Sequence, residues 1–369
     1  MNAIRSASAT PRVNVITLFD ASNLLEAREF PYETLTLEGK VTTTTLSDMM
    51  DLLEQAKKEL GASYEGTVLT TGAGGRRLFS VRADQAKGVV DSERLTPPAG
   101  PEQLNSEELA EYIASHWNPD AINIVHVRGH GHADLDVAGM PTSEFVKGLQ
   151  GASRRIGGKL GVVLLESCIM ANLQALKGMQ GCTPVVVASE EVLGTTALPL
   201  PRLIADVAEG GGTPQEIAQR MLTVTAVHGK ADTLAMIDVD RLGELDRSYQ
   251  NLAGQLKQET QAGQGDEVRA ALKKCDLFPR RWNDYSQKSL RGQLQLRDLG
   301  EVAHAVQESH LSEQTRQAAA RVEETLGQAV RRITSANYEK VAGFSVKTGD
   351  VLPSQPWSWN PLRWLGFID

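Results

Sequence analysis

The first half of this chain alternates short apolar runs rich in β-branched residues with amphipathic stretches of helical spacing, and few folds accommodate that rhythm. The runs fall at 13–19, 67–71, 78–81, 122–127, 161–165 and 185–188, with helical stretches at 45–60, 106–117 and 142–155 between them. Strands of this kind are apolar along their length because helices cover both faces, so the pattern predicts an α/β fold with a mostly parallel central sheet flanked by helices. Capping signals support the helices at Thr45-Leu46-Ser47-Asp48 and Asn105-Ser106-Glu107-Glu108. Met49, Leu52, Leu53 and Ala56 follow at helical spacing.

Beyond Gly194 the pattern becomes helix-rich. Helices are predicted at 214–228, 241–260, 299–308 and 311–338, broken by strands at 233–238 and 342–347. Gly72-Ala73-Gly74-Gly75 joins two strand-like runs and reads as a hairpin turn, since it lacks the Lys-Ser/Thr of a phosphate loop and opens no helix. Gly210-Gly211-Gly212 precedes Thr213-Pro214-Gln215-Glu216, where Thr213 caps a helix and Pro214 takes its first position. The segment from Pro353 to Pro361 holds two of the five tryptophans, and packing against the fold is the preferred reading over a recognition patch.

With 369 residues, 41% of them apolar, the chain can bury a substantial core. Its formal charge of −8 argues against nucleic acid as a partner, because phosphate binding draws on a basic surface. No apolar run is long enough to span a membrane. Residues 1–12 lack the apolar segment of a secretory signal, so a cytoplasmic location is expected, with export by a non-classical route as the other course. Cys168, Cys182 and Cys275 are too few and too unevenly spaced for a disulfide framework or a metal clip.

Two strand ends carry the chemistry. Arg128-Gly129-His130-Gly131-His132 closes one apolar run, and Glu166-Ser167-Cys168-Ile169-Met170 closes the next. Ligands of open α/β sheets bind beyond the carboxyl ends of the strands, and a cysteine nucleophile needs a base within reach. His126, inside its run, reads as a core histidine. Cys182 and Cys275 read as inert thiols. His130-Gly131-His132-Ala133-Asp134 also follows most of the metal-binding HxHxDH spacing of metallo-β-lactamase-like hydrolases, but Leu135 stands where the last His belongs.

The chain resembles the clostripain-like cysteine peptidases, relatives of caspases, gingipains, legumain and separase. The resemblance rests on four ordered segments: Asp20-Ala21-Ser22-Asn23-Leu24-Leu25-Glu26 after the first strand, His130-Gly131, Glu166-Ser167-Cys168-Ile169-Met170, and Ala188-Ser189-Glu190-Glu191-Val192-Leu193-Gly194. Weaker matches follow at Thr233 to Asp238, Leu296 to Leu299 and Gly343 to Val346. Ser22 stands where the family commonly has Asp, Glu166 replaces an Asp, and 194–201 lacks the family's Gly-aromatic-Pro-Tyr character.

What the resemblance implies is a caspase-like peptidase domain over 1–238 with a helix-rich region over 239–369. It implies a His130/Cys168 dyad cutting proteins or peptides after Arg or Lys, with the Gly131 amide helping to hold the oxyanion. Glu166 would read the basic side chain, with Ser189 and Glu190 as further substrate-binding residues. Self-cleavage is implied between His130 and Cys168, at Lys147, Arg154, Arg155 or Lys159; Arg154-Arg155-Ile156-Gly157-Gly158 has the composition of a cuttable loop. Calcium comes with the resemblance, without any EF-hand spacing, and no other cofactor is required. Two further readings are a catalytically silent interaction module that binds a protein partner through its C-terminal half, and a metallohydrolase using His130, His132 and Asp134.

Overall fold

A computed structural model describes residues 12–20, 36–37, 40–41, 46–72, 75–82, 92–194, 197–281, 291–292 and 294–349. The Ser22 to Glu26 segment, the Thr45 cap and the tryptophan-bearing tail lie outside them.

Nine strands form the central sheet. In chain order they are β1 (Arg12–Asp20), β2 (Tyr64–Thr71), β3 (Arg77–Ser80), β4 (Glu93–Leu95), β5 (Ala121–Arg128), β6 (Val162–Glu166), β7 (Val185–Ala188), β8 (Thr233–Asp238) and a late strand, Val330–Thr334. Across the sheet the order is Val330–Thr334, β8, β7, β6, β5, β1, β2, β3, β4. The five middle strands, β7 to β2, run parallel, and antiparallel pairs extend both edges.

Side-chain alternation explains why helices cover both faces. Along β1, Ile16 and Leu18 enter one core while Val13, Val15 and Phe19 enter the other; along β6, Val163 and Leu165 separate in the same way from Val162 and Leu164. Helices α1 (Leu46–Leu60), α4 (Leu200–Gly210) and α5 (Pro214–His228) cover the Val13 face. The opposite face packs on α2 (Ser106–Ser115), α3 (Thr142–Ile156), α6 (Leu242–Glu259), α7 (Gly265–Lys273), α8 (Leu299–Gln307) and α9 (Glu313–Ala329). Fully burying a Leu or Phe such as Leu149 or Phe145 stabilises the fold by about 1.5–3 kcal/mol each. A second sheet of three short antiparallel strands, Leu277–Phe278, Leu296–Asp298 and Ser345–Lys347, lies near the ends of β6 and β7: Ser345 donates its amide to Ala171 O at 2.9 Å.

Local signals fared well at helix starts. Asn105 and Thr213 both form capping boxes, with Glu108 and Glu216 respectively. The hairpin read from the glycine cluster joins β2 to β3, with Gly72 and Gly75 at positive φ. The helix expected over 311–338 is shorter, because α9 stops at Ala329 and Val330–Thr334 pairs with β8. Its β-branched Val330, Ile333 and Thr334 suit an edge strand, and tertiary pairing outweighs the helical periodicity that precedes them.

Candidate active site

The two chemistry-bearing strand ends are side by side. β5 and β6 pair in parallel with Arg128 opposite Glu166, so His130 and Cys168 each stand two residues beyond the same rung. The His-bearing segment folds back as a narrow hairpin, with Ala138 N donating to His130 O at 2.8 Å and His132 N donating to Asp136 O at 2.9 Å. Gly131 faces Val137 between those bonds. In an antiparallel ladder such a pair directs its own N–H and C=O groups away from its partner. A Cβ on Gly131 would lie 2.5 Å from the Cys168 carbonyl oxygen and 3.0 Å from Ser167 Cβ, so only glycine permits this approach.

His130 is exposed, its ring nearly parallel to that of His132 with centroids 6.3 Å apart. Asp136 hydrogen-bonds His132 Nδ1 at 2.9 Å and raises its pKa above the usual imidazole range.

Cys168 is half-buried, and the backbone beside it is strained. Ile169 has φ of 50°, a left-handed conformation that β-branched residues rarely adopt. Burial holds it there: its side chain packs with Phe278, Leu296, Tyr338 and Val341, and its amide donates to Glu191 O at 3.2 Å. Strain of this kind concentrates where a fold must aim a side chain. Burial raises the Cys168 thiol pKa, and the Glu191 charge pushes it the same way, so a thiolate there needs a proton acceptor. Cys182 and Cys275 are buried, their thiols pushed up by burial to about 11 and about 12.

The neighbouring acids face inward. Glu166 is 5% exposed, accepting a hydrogen bond from His126 Nε2 at 2.9 Å and pairing with the Arg128 guanidinium at 3.2 Å. His126 is fully buried, its Nδ1 lying 3.2 Å from the Thr17 hydroxyl. Ser189 is buried too, sharing a hydrogen bond with the Thr233 hydroxyl at 2.8 Å and accepting the Glu191 amide at 3.0 Å. Glu191 accepts from the Arg280 amide, the Val192 amide and the Tyr338 hydroxyl, at 2.7, 2.8 and 2.9 Å.

Glu190 differs, because neither of its buried oxygens has a donor in reach. Its neighbour is Asp298, which accepts the amides of Glu301, Ala342 and Phe344 at the start of α8. A protonated Glu190 satisfies the pair by donating to Asp298. Burial, reinforced by the Asp298 charge, raises the Glu190 pKa well above the carboxylate range. Because the folded pKa exceeds the unfolded one, this group's stabilising contribution is complete below the unfolded carboxylate pKa and is lost as pH rises through the folded value. Glu190→Gln is therefore expected to flatten the fall in melting temperature from acidic to neutral pH; a slope identical to wild type would refute the shared proton.

The basic residues between His130 and Cys168 are less open than their composition suggests. Lys147, Arg154 and Arg155 all lie within α3, so the predicted loop at Arg154-Arg155 is the last helical turn. Gly157, at φ of 71°, terminates that helix, which explains the glycines that had signalled a loop. Arg155 pairs with Glu107 and Glu111, Lys147 with Glu144, and Lys159, just beyond the helix, with Asp240. The metal reading is corrected as well. Among the described residues no three His, Cys, Asp or Glu side chains gather where an ion could be held. His132 turns to Asp136, and Asp134 faces Lys347 at 3.4 Å.

Sequence reasoning passed over Arg128, Glu191, Tyr338 and Asp298. A signal for Arg128 was present, in that it and Glu166 close successive strands in the same place. Glu191 and Asp298 lie within two segments that carry the resemblance, Ala188 to Gly194 and Leu296 to Leu299, whereas Tyr338 reaches the site from a distant part of the chain and leaves no local pattern.

No protein-family model matches the chain, and no curated protein matches its sequence. Solved structures do match. A secreted C11 cysteine protease from Bacteroides thetaiotaomicron, called iotapain, shares 14% identity over 92% of this chain and 94% of its own, with a TM-score of 0.57. An inactive zymogen C11 protease from Parabacteroides distasonis shares 14% identity over 92% of each chain, at 0.58. A secreted C11 cysteine protease from Bacteroides thetaiotaomicron in complex with an irreversible peptide inhibitor shares 12% identity over 97% of each chain, also at 0.58. The chain thus has the caspase-like α/β fold of the C11, clostripain-like cysteine proteases. Among the described residues no helix is long and apolar enough to cross a membrane.

Proposed function

We propose that this protein is a cysteine peptidase that hydrolyses peptide bonds through Cys168 and His130. One observation carries the reading: the in-register pairing of β5 with β6 brings the His130 and Cys168 strand ends together, with Gly131 against the Cys168 carbonyl. The shared fold with C11 cysteine proteases supports it.

In the reaction, His130 accepts the Cys168 thiol proton as sulfur attacks the peptide carbonyl carbon. The oxyanion that forms is met by backbone amides, with Gly131 N–H the leading candidate because the hairpin directs it away from Val137. Collapse of the intermediate breaks the C–N bond, and His130 returns the proton to the departing amine. The resulting thioester is opened by water, whose proton passes to His130 and then back to the thiolate.

Self-cleavage between His130 and Cys168, which the resemblance implies, has little local support. Lys147, Arg154 and Arg155 would have to leave a helix to be cut in extended form, and Lys159 alone of the four lies outside one. For Glu166 to read a basic side chain it would have to give up Arg128.

The peptidase reading is tested by incubating the protein with a set of peptide acyloxymethyl ketones and mapping the adduct by mass spectrometry. A thioether at Cys168, lost in His130→Ala, is expected. Labelling at Cys182 or Cys275 alone would sink the assignment.

A further inference from the structure

Away from the two strand ends, a groove of about 650 Å³ runs between α8 and the C-terminal half of α9, within the size range of small-molecule sites. None of its lining residues belongs to the segments that carry His130, Cys168 or Glu191. Ala305, Leu326 and Val330 form a buried apolar floor. The charged residues stand on the rim, and they are sorted by sign along its length.

One end gathers cations. Lys274, Arg332 and Lys340 arrive there from three separate segments, all exposed, and none has a carboxylate partner among the described residues. They converge on the first turn of α8, where a Cβ on Gly300 would lie 2.8 Å from Ala342 Cβ and one on Gly343 would lie 3.2 Å from Arg332 Cβ. The Asp276 amide, two residues beyond Lys274, reaches Glu301 at 3.3 Å. Glu301, the acid at this end, already pairs with the Arg280 guanidinium at 2.8 Å. Two turns further along α8 the sign reverses. Glu308 faces the His304 imidazole at 3.3 Å, and Glu323 accepts from the neutral Gln307 amide at 2.8 Å. Neither acid has a Lys or Arg partner among the described residues. From Glu301 to Glu308 the helix advances seven residues, so the two ends are about 10 Å apart.

A ligand with a single charge satisfies one end of this groove and leaves the other to water. A zwitterion of matching length satisfies both. An extended chain advances about 3.3 Å per residue, so three residues hold a terminal ammonium and a terminal carboxylate about 10 Å apart. A guanidinium such as that of Arg332 presents the forked donors that a carboxylate accepts. We infer that the groove binds short peptides of about three residues, with the free carboxylate at Lys274, Arg332 and Lys340 and the free ammonium at Glu308 and Glu323. Small apolar side chains rest on the Ala305, Leu326 and Val330 floor. The inference is independent of the peptidase reading, because it draws on neither Cys168 nor His130.

The test is isothermal titration calorimetry on the full chain carrying Cys168→Ala, so that no peptide is consumed, with tri-alanine, its N-acetyl form and its C-terminal amide as probes. Tri-alanine is expected to bind about fivefold or more tightly than either blocked form, the size expected of partly screened ion pairs, and to weaken at high salt. In the same background, Lys274→Gln with Lys340→Gln should erase the preference over the amide. Glu308→Gln with Glu323→Gln should erase the preference over the N-acetyl form. All four residues are exposed, so both pairs should melt close to the parent protein. Equal affinity for the three probes, no binding at millimolar tri-alanine, or a preference that survives in either pair would overturn the inference and leave the peptidase reading untouched.

Discussion

Cys168→Ala and His130→Ala are each expected to lower kcat/KM for peptide hydrolysis by about three orders of magnitude or more, while melting temperature stays close to wild type. The size follows from groups that act as a unit. Without the thiol there is no nucleophile, and without the imidazole nothing receives its proton, so either loss removes most of the catalysis. The small effect on stability follows from position. His130 is exposed, and surface substitutions usually stay within about 0.5 kcal/mol. Cys168 is half-buried, and its truncation removes a single sulfur. The double variant should be scarcely slower than either single one, because effects within a catalytic unit do not add. Hydrolysis by Cys168→Ala at the wild-type rate would rule out this nucleophile.

Arg128→Met should destabilise the fold by about 3–5 kcal/mol, read as a shift of the denaturation midpoint without a change in slope. Glu166 is 5% exposed, and without Arg128 it keeps only the His126 contact for a buried charge. Set against a total stability of about 5–15 kcal/mol, that loss is large. The companion change Glu166→Gln should recover most of the loss, since the pair as a whole costs desolvation that two uncharged groups avoid. If Arg128→Met alone melts like wild type, the ion pair is not holding the two strand ends together.

The strand runs, the capped helices and the two chemistry-bearing segments were all legible in sequence. β1, β5, β6 and β7 fall on the predicted runs because a buried parallel strand must be apolar on both faces, and that demand is written within four to nine consecutive residues. The Asn105 and Thr213 caps were legible for the same reason: a capping box spans four residues. Legibility failed where the outcome depended on remote partners. Val330–Thr334 became a strand because β8 offers it an edge. Arg154 and Arg155 stayed helical because α3 packs on α2 and extends to the Gly157 cap, although their immediate composition resembles a loop.

For the site, the choice of Cys168 among three cysteines and of His130 over His126 came from position at strand ends, which is local information. The family resemblance added Glu166 as a reader of basic side chains. The bearing of that carboxylate was decided elsewhere, by Arg128 and His126 on the neighbouring strand. So sequence by itself determined the α/β rhythm and which residues carry the chemistry, because periodicity, capping and strand-end position act over a few residues. Only the tertiary structure decided that β5 and β6 are neighbours in register, that Ile169 is held in a strained turn, and that Glu166 is paired with Arg128. Register, strain and charge compensation arise between residues far apart in the chain, and short-range pattern does not encode them.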